Sequence, residues 1–113
     1  MSISNYLEDK LLNLVLTNAT FPVITAIYAS LHTGDPGEAG TDNPLASAPR
    51  FPITFGAAAS ATAANNATAS VAVSATGTLT HAGLWDGSST ATANHLWNGA
   101  ITPNITVANA GDT

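Results

Sequence analysis

Hydrophobic positions change period along this chain, and the change marks its elements. Over residues 2–17 (SISNYLEDKLLNLVLT), Ile3, Leu7, Leu11, Leu14 and Val15 step along one face, which predicts a helix over 4–17. Asn5 followed by Glu8 three residues later reads as an Asn form of the capping box, and Glu8 and Asp9 sit where the helix dipole favours acids. Leu12 and Leu16 widen the stripe beyond one face. Such a helix either docks on its own sheet or offers Leu12 and Leu16 to a neighbouring subunit. From Phe21 the period falls to two. Strands are expected near 22–31, 51–55, 68–74, 78–85, 94–101 and 105–108. The first has apolar residues at both parities and reads as central; Pro52, which cannot donate to a ladder, marks 51–55 as an edge or a strand start. Residues 57–77 resemble low-complexity sequence, but strict alternation of Ala and Val with Ser, Thr and Asn argues for a strand in their second half, with a turn at Asn65 and Asn66.

The densest stretch is Thr78 to Ile101. It holds both tryptophans and two of the three histidines, and Leu84-Trp85-Asp86-Gly87 returns as Leu96-Trp97-Asn98-Gly99. Alternation puts Leu79, His81, Gly83 and Trp85 on one side of one strand, and His95, Trp97, Gly99 and Ile101 on one side of another, around a turn-forming DGSST loop. Each indole offers about 150–250 Å² for burial, far more than the small side chains around it. Trp85, Trp97, His81, Leu79 and Ile101 are therefore expected in the core. The fold class that follows is mainly β: an antiparallel, jelly-roll-like sandwich with one N-terminal helix. A single domain spans 1–113, with the helix at 4–17 and the β domain at 21–113.

Composition narrows the function. Only 8% of the 113 residues are charged and 45% are hydrophobic, many of them alanines, so a single copy has a thin core. Without cysteine there is no disulfide to compensate, and association between copies is the expected remedy. The net charge of −5, with Lys10 and Arg50 as the only cations, excludes the clustered bases that nucleic acid needs. No apolar run approaches a membrane span and no basic leader precedes one, so neither nucleic acid nor membrane is an expected partner. Arg50 pairs either with the acidic loop or across a subunit interface, and with Leu12 and Leu16 it is a candidate interface residue.

Catalytic and binding chemistry is sparse. No HExxH, GxSxG, Walker or GxGxxG pattern occurs, so no enzyme, catalytic residue or cofactor is expected. His81 and His95, with Asp86 near, would make a metal site only if they faced each other across the hairpin; packing beside tryptophan is the simpler role. Asp35, Glu38 and Asp42 crowd one loop, but their spacing matches no EF-hand, and a solvated acidic loop containing a Pro36-Gly37 turn is expected. Trp85, Asp86, Trp97 and Asn98 have the residue types of a sugar-binding surface, set against burial in the core.

Several phrases, in order, carry a resemblance. SNYLEDKLL opens at Ser4, LHTGDPGEAG at Leu31, THAGLWD at Thr80, LWNGAI at Leu96 and AGDT at Ala110. Together they resemble a family of small tailed-bacteriophage virion proteins labelled phage tail fibre proteins or tail-fibre-like trimer subunits, over nearly the whole chain. The resemblance implies a virion structural protein assembled in the bacterial host cytoplasm, and a homotrimer. It fits a capsid decoration (cement) protein bound to the major capsid protein on the head exterior. The alternative it implies is a short tail-fibre or baseplate component that touches other tail proteins or a host surface glycan. Members tend to continue past Gly-Asp-Thr, so the C-terminal end is expected to be incomplete.

Overall fold

The computed structural model describes residues 2–45, 50–67, 73, 75–89 and 92–109. In chain order the elements are β1 (Ser2–Ile3), α1 (Asn5–Leu16), β2 (Ile27–His32), β3 (Phe51–Ile53), β4 (Gly77–Trp85) and β5 (His95–Val107). The strands form one antiparallel sheet in the order β1-β5-β4-β2-β3. Among the described residues the protein is mainly β with a single helix, as its alternating pattern predicts. A second sheet, which a sandwich needs, is not among the described elements. The expected strand at 68–74 lies outside the described residues apart from Val73, which is buried. The C-terminal AGDT also lies outside them.

The helix is capped one residue earlier than predicted. Ser4, not Asn5, is the N-cap: its hydroxyl accepts the Leu7 N–H at 3.2 Å and donates to the His95 carbonyl, so one side chain both caps α1 and ties it to β5. Glu8 supplies a backbone N–H to Ser4 O at 2.9 Å instead of a capping-box carboxylate, and the carboxylate at the helix start comes from Glu38, which accepts the Asn5 N–H at 3.2 Å. At the other end Asn18 takes φ +58°, and Ala19 N–H returns to Asn13 O at 3.1 Å, closing the helix as a left-handed residue does. No residue of α1 is buried. Docking on its own sheet is confined to the start of the helix, where α1 meets β5 and Leu7 is half-buried, while Leu12, Val15 and Leu16 are 56%, 76% and 74% exposed.

Within the sheet the first expected strand is shorter than its pattern, because residues 21–26 run outside the ladder and Val23 is left exposed. The Pro52 strand is an edge: among the described strands β3 pairs only with β2. The two predicted strands at 94–101 and 105–108 are one strand, β5, interrupted opposite Thr80. Leu79 pairs with Ile105 while His81 pairs with Ala100, and the peptide bond between Thr102 and Pro103 is cis.

A second irregularity decides the fate of the tryptophans. Trp85 pairs with His95, but Leu84 pairs with Trp97, so Leu96 is an extra residue in β5. Since side chains alternate, one extra residue moves every later position to the other face. Trp85 is 4% exposed; Trp97, expected in the core, is 36% exposed. Asn98 takes the inner position beside Gly83. The apolar core forms at the opposite end of the sheet from Leu45, Val73, Leu79 and Val107, with Leu31, Ala75 and Ile101 packed against it. Leu79 and Ile101 thus join the core as expected, while His81 is half-buried.

Residues 54–66 fold into an arm. Gly56 N–H bonds Ala64 O at 2.9 Å and Asn66 N–H bonds Thr54 O at 3.0 Å, and Ala59 and Thr62 exchange bonds of 2.9 Å or less around Ser60 and Ala61. Both of these turn residues have positive φ, 51° and 60°, as a type I′ hairpin turn requires. The chain reverses here, ahead of the expected turn at Asn65 and Asn66, where it bends again at Asn66 and Ala67 before residues that lie outside the described ones. Residues 57–67 are exposed throughout.

Candidate functional site

Trp85 is the centre of a polar clasp that holds the acidic loop 33–45 on the sheet. Its indole Nε1–H donates to Ser30 Oγ at 2.9 Å, and the Ser30 hydroxyl donates onward to His32 Nε2 at 2.7 Å. His32 Nδ1 is 2.9 Å from the Asp42 carbonyl, which can only accept, so the ring carries its proton on Nδ1. The same logic applies to His95, whose Nδ1–H donates to the Glu38 carbonyl at 2.9 Å. Asn98 Nδ2 completes the set, donating to Gly37 O at 3.0 Å. Three side chains of the sheet thus satisfy three backbone carbonyls of one loop, and His32, His95 and Asn98 are all buried. His95 Nε2 is buried with no hydrogen-bond partner.

Two glycines make the close approach possible. A Cβ on Gly83 would stand 2.7 Å from Ser30 Oγ and 3.3 Å from Trp85 Nε1. A Cβ on Gly40 would come within 2.5 Å of the His95 ring, and Gly40 also has φ +73°. Within the loop, Asp35 Oδ1 accepts the Gly37 N–H at 2.9 Å and Pro36 is fully buried, so the Pro36-Gly37 turn that the sequence predicts is anchored from inside.

Arg50 closes the clasp from the other side. Its guanidinium stacks 3.5 Å from the centroid of the Trp85 ring, whose other contact is the His95 ring at 4.9 Å, and Nη1 donates to Ser89 O at 2.7 Å. The one arginine is therefore engaged within its own chain, a role nothing in its local sequence announces. Burial lowers its pKa while the nearby Asp86 carboxylate raises it. Asp86 itself locks the hairpin loop, accepting Asn94 N–H at 2.6 Å and Asn94 Nδ2 at 2.9 Å. For His32, burial pushes the pKa below its ordinary value, and the neighbouring His95, His81 and Arg50 push in the same direction against the Asp42 bond.

The geometry does not bring the sequence candidates together as a metal centre. His95 lies opposite Trp85, whereas His81 lies opposite Ala100 and His32 and bonds Thr80 Oγ1 at 2.8 Å. Among the described residues no group of three or more His, Asp or Glu is placed to hold a metal ion. Trp85 and Trp97 cannot form one aromatic surface, because they occupy opposite faces. The sequence reading missed His32 and Ser30. Their signal was present: they alternate at the end of β2, where the LHTGD phrase begins.

The family model described as "Podophage GP4 fiber I protein gp80" matches residues 2–113. The chain belongs to this family. It is accordingly a bacteriophage virion protein of fibre type, and the expected resemblance to tail-fibre-like virion proteins holds. No curated protein matches it. Among the described residues, no helix of this family member is long and apolar enough to cross a membrane. For a virion protein the surfaces left open matter as much as the clasp, and two of them are apolar. One is the stripe of α1. The other is a trough of about 600 Å³ floored by Ala82, Leu84 and Trp97 and walled by Phe55, Ala58 and Ala63 of the arm.

Proposed function

We propose that this chain is a non-catalytic structural subunit of the virion that works as a homotrimer and decorates the head exterior, bridging copies of the major capsid protein. The observation that carries the assembly part is α1, whose apolar stripe is uncovered in a single copy. Fully burying a Leu or Val is worth about 1.5–3 kcal/mol, so covering Leu12, Val15 and Leu16 at their observed exposures would contribute roughly 3–6 kcal/mol per subunit. The stretch from Leu11 to Leu16 has no charge to desolvate on association. Leu12 and Leu16 are the interface residues of this reading. Arg50 is the weaker candidate, since its guanidinium is already stacked on Trp85.

The position on the head rests on shape. The chain measures 49 × 27 × 22 Å, with a radius of gyration of 14.7 Å against about 13 Å for a compact chain of its length. That suits a tile on a lattice better than a shaft that reaches. A second reading, a tail-fibre or baseplate component in contact with tail proteins or a host surface glycan, is favoured by the word "fiber" in the family description and by the half-exposed Trp97.

Sedimentation tests the oligomer: a trimer is expected, with a melting temperature that rises with protein concentration. A monodisperse monomer with a concentration-independent melt would refute it. Particle reconstruction tests the position. Density at the head surface, with heat protection of undecorated capsids by added protein, supports decoration. Density at the tail removes it and leaves the trimer standing. Loss of cell binding by Trp97→Ala in an intact trimer would support the glycan contact.

A further inference from the structure

Arg50 is the only arginine in a chain of net charge −5, yet the acids of the loops beside it all face other partners. Asp35 Oδ1 accepts the Gly37 N–H, and Asp42 Oδ2 lies so close to Gly37 that a Cβ there would stand 2.9 Å from it. Glu38 Oε2 serves the Asn5 N–H at the start of α1, and both Asp86 oxygens are held by Asn94. Among the described residues the guanidinium spends one N–H, on Ser89 O, and no carboxylate is bonded to it. Stacking on Trp85 fixes its plane and leaves the rest of its donor edge uncommitted.

This cation lines a pocket of about 560 Å³, a size usual for small-molecule sites. No carboxylate is among the described residues that line it. Ser30, His32 and Trp85 form its polar inner wall, and their hydrogen-bonding atoms are already paired with one another and with Asp42 O. Thr41 and Ser88 stand exposed at its mouth, and among the described residues their hydroxyls bond nothing. The free valences of the pocket are therefore one guanidinium edge and two hydroxyls.

We propose that this pocket binds a sugar acid, with the carboxylate on the Arg50 fork and ring hydroxyls on Thr41 and Ser88. A planar carboxylate accepts two parallel N–H bonds from a guanidinium. One cation also matches one negative charge, whereas a phosphate group brings close to two and finds no second base in the lining. Pro44 and Leu45 supply an apolar wall for the C–H face of a ring, and the two hydroxyls favour a hydroxylated ring over a plain aliphatic acid. Burial lowers the Arg50 pKa, so the cation has lost part of its water, and a carboxylate would replace that lost solvation. Every part of the site belongs to a single chain, so binding is expected wherever on the virion the chain stands.

The test titrates the full chain with D-galacturonate and follows the Trp85 indole N–H by NMR, assigned with Trp97→Phe. A saturable shift is expected, because the ligand engages the guanidinium stacked on that ring. D-galactose, cyclohexanecarboxylate and inorganic phosphate should each bind about tenfold more weakly or worse. Arg50→Lys keeps the charge but loses the fork, and should weaken galacturonate by about tenfold. Since that change also disturbs the stack on Trp85, Thr41→Val with Ser88→Ala gives an independent reading at two exposed positions. The double variant should lose galacturonate affinity severalfold and leave cyclohexanecarboxylate unchanged. A galacturonate trisaccharide that also binds assigns the ligand to a polysaccharide; binding of the monosaccharide alone assigns a free sugar acid, and either supports the site. Galacturonate without a saturable shift, or bound no more tightly than galactose, overturns the proposal. Equal or tighter binding of phosphate or cyclohexanecarboxylate overturns it as well.

Discussion

Trp85 and Trp97 lie on opposite faces of the sheet although they occupy equivalent places in an internal repeat. Leu96 is bulged out of the pairing between Trp85–His95 and Leu84–Trp97, and the bulge gives the two indoles different work. Trp85 is clamped between Arg50 and His95 and spends its N–H on Ser30.

The two residues should accordingly differ on truncation. Trp85→Ala removes a buried ring and leaves Ser30 and Arg50 without their contact, and should cost about 3–5 kcal/mol in urea unfolding. Trp97→Ala should cost roughly 1–2 kcal/mol in the monomer, because its ring is already partly in water. Equal losses would mean that the bulge does not exist in solution. Deleting Leu96 should remove the bulge and leave Trp97 opposite Leu84 on the outer face, so its acrylamide quenching should stay close to that of the unaltered chain.

The relay from Trp85 through Ser30 to His32 should be sensitive to a single methyl group. Gly83→Ala would place a Cβ 2.7 Å from Ser30 Oγ, where backbone or relay must give way. A loss of about 1–3 kcal/mol is expected, similar to that of Ser30→Ala, which strands the indole N–H and His32 Nε2. Because both changes break the same bonds, the double variant should cost clearly less than the sum. Additive losses would show that Gly83 acts elsewhere.

Much of this was legible beforehand, for physical reasons that differ by element. The helix announced itself because a 3.6-residue stripe is long and redundant, and Pro52 placed an edge because a missing N–H excludes an interior strand. What the alternation pattern could not show was a one-residue bulge, since Leu96 is as apolar as its neighbours and nothing in its side chain marks it as extra. The cap at Ser4 was missed because Asn5 and Glu8 formed a plausible box one residue too late. The clasp was invisible because its acceptors are backbone carbonyls of Gly37, Glu38 and Asp42, which no side-chain pattern encodes.

The reversal at Ser60 and Ala61 was hidden for a related reason: type I′ turns favour Asn-Gly, and here neither residue is of that kind. An L-residue in the left-handed region costs roughly 1–2 kcal/mol, so Ser60→Asn with Ala61→Gly should stabilise the arm by up to about 1 kcal/mol. Amide exchange of Ala59 and Thr62 should slow in the double variant. Faster exchange would place the turn elsewhere.

His32 should make the fold sensitive to mild acid. Its pKa is lowered from an ordinary value of 6.5, first by burial and further by the electrostatic influence of His95, His81 and Arg50, against the bond to Asp42. A folded pKa below the unfolded one means that the unfolded chain binds more protons between the two values. The stability held by neutral His32 is therefore fully present above about pH 6.5 and is lost as the pH falls from there through the folded pKa. The structural cause is specific: a proton on Nε2 would confront the Ser30 hydroxyl that now donates to it, while Nδ1 stays committed to Asp42. The urea midpoint should be level from about pH 8 to 7 and decline below about 6.5. His32→Asn keeps a donor for the Asp42 carbonyl but cannot be protonated, so it should flatten that decline while lowering the midpoint at neutral pH. A decline of unchanged steepness in His32→Asn would assign the acid sensitivity to another group.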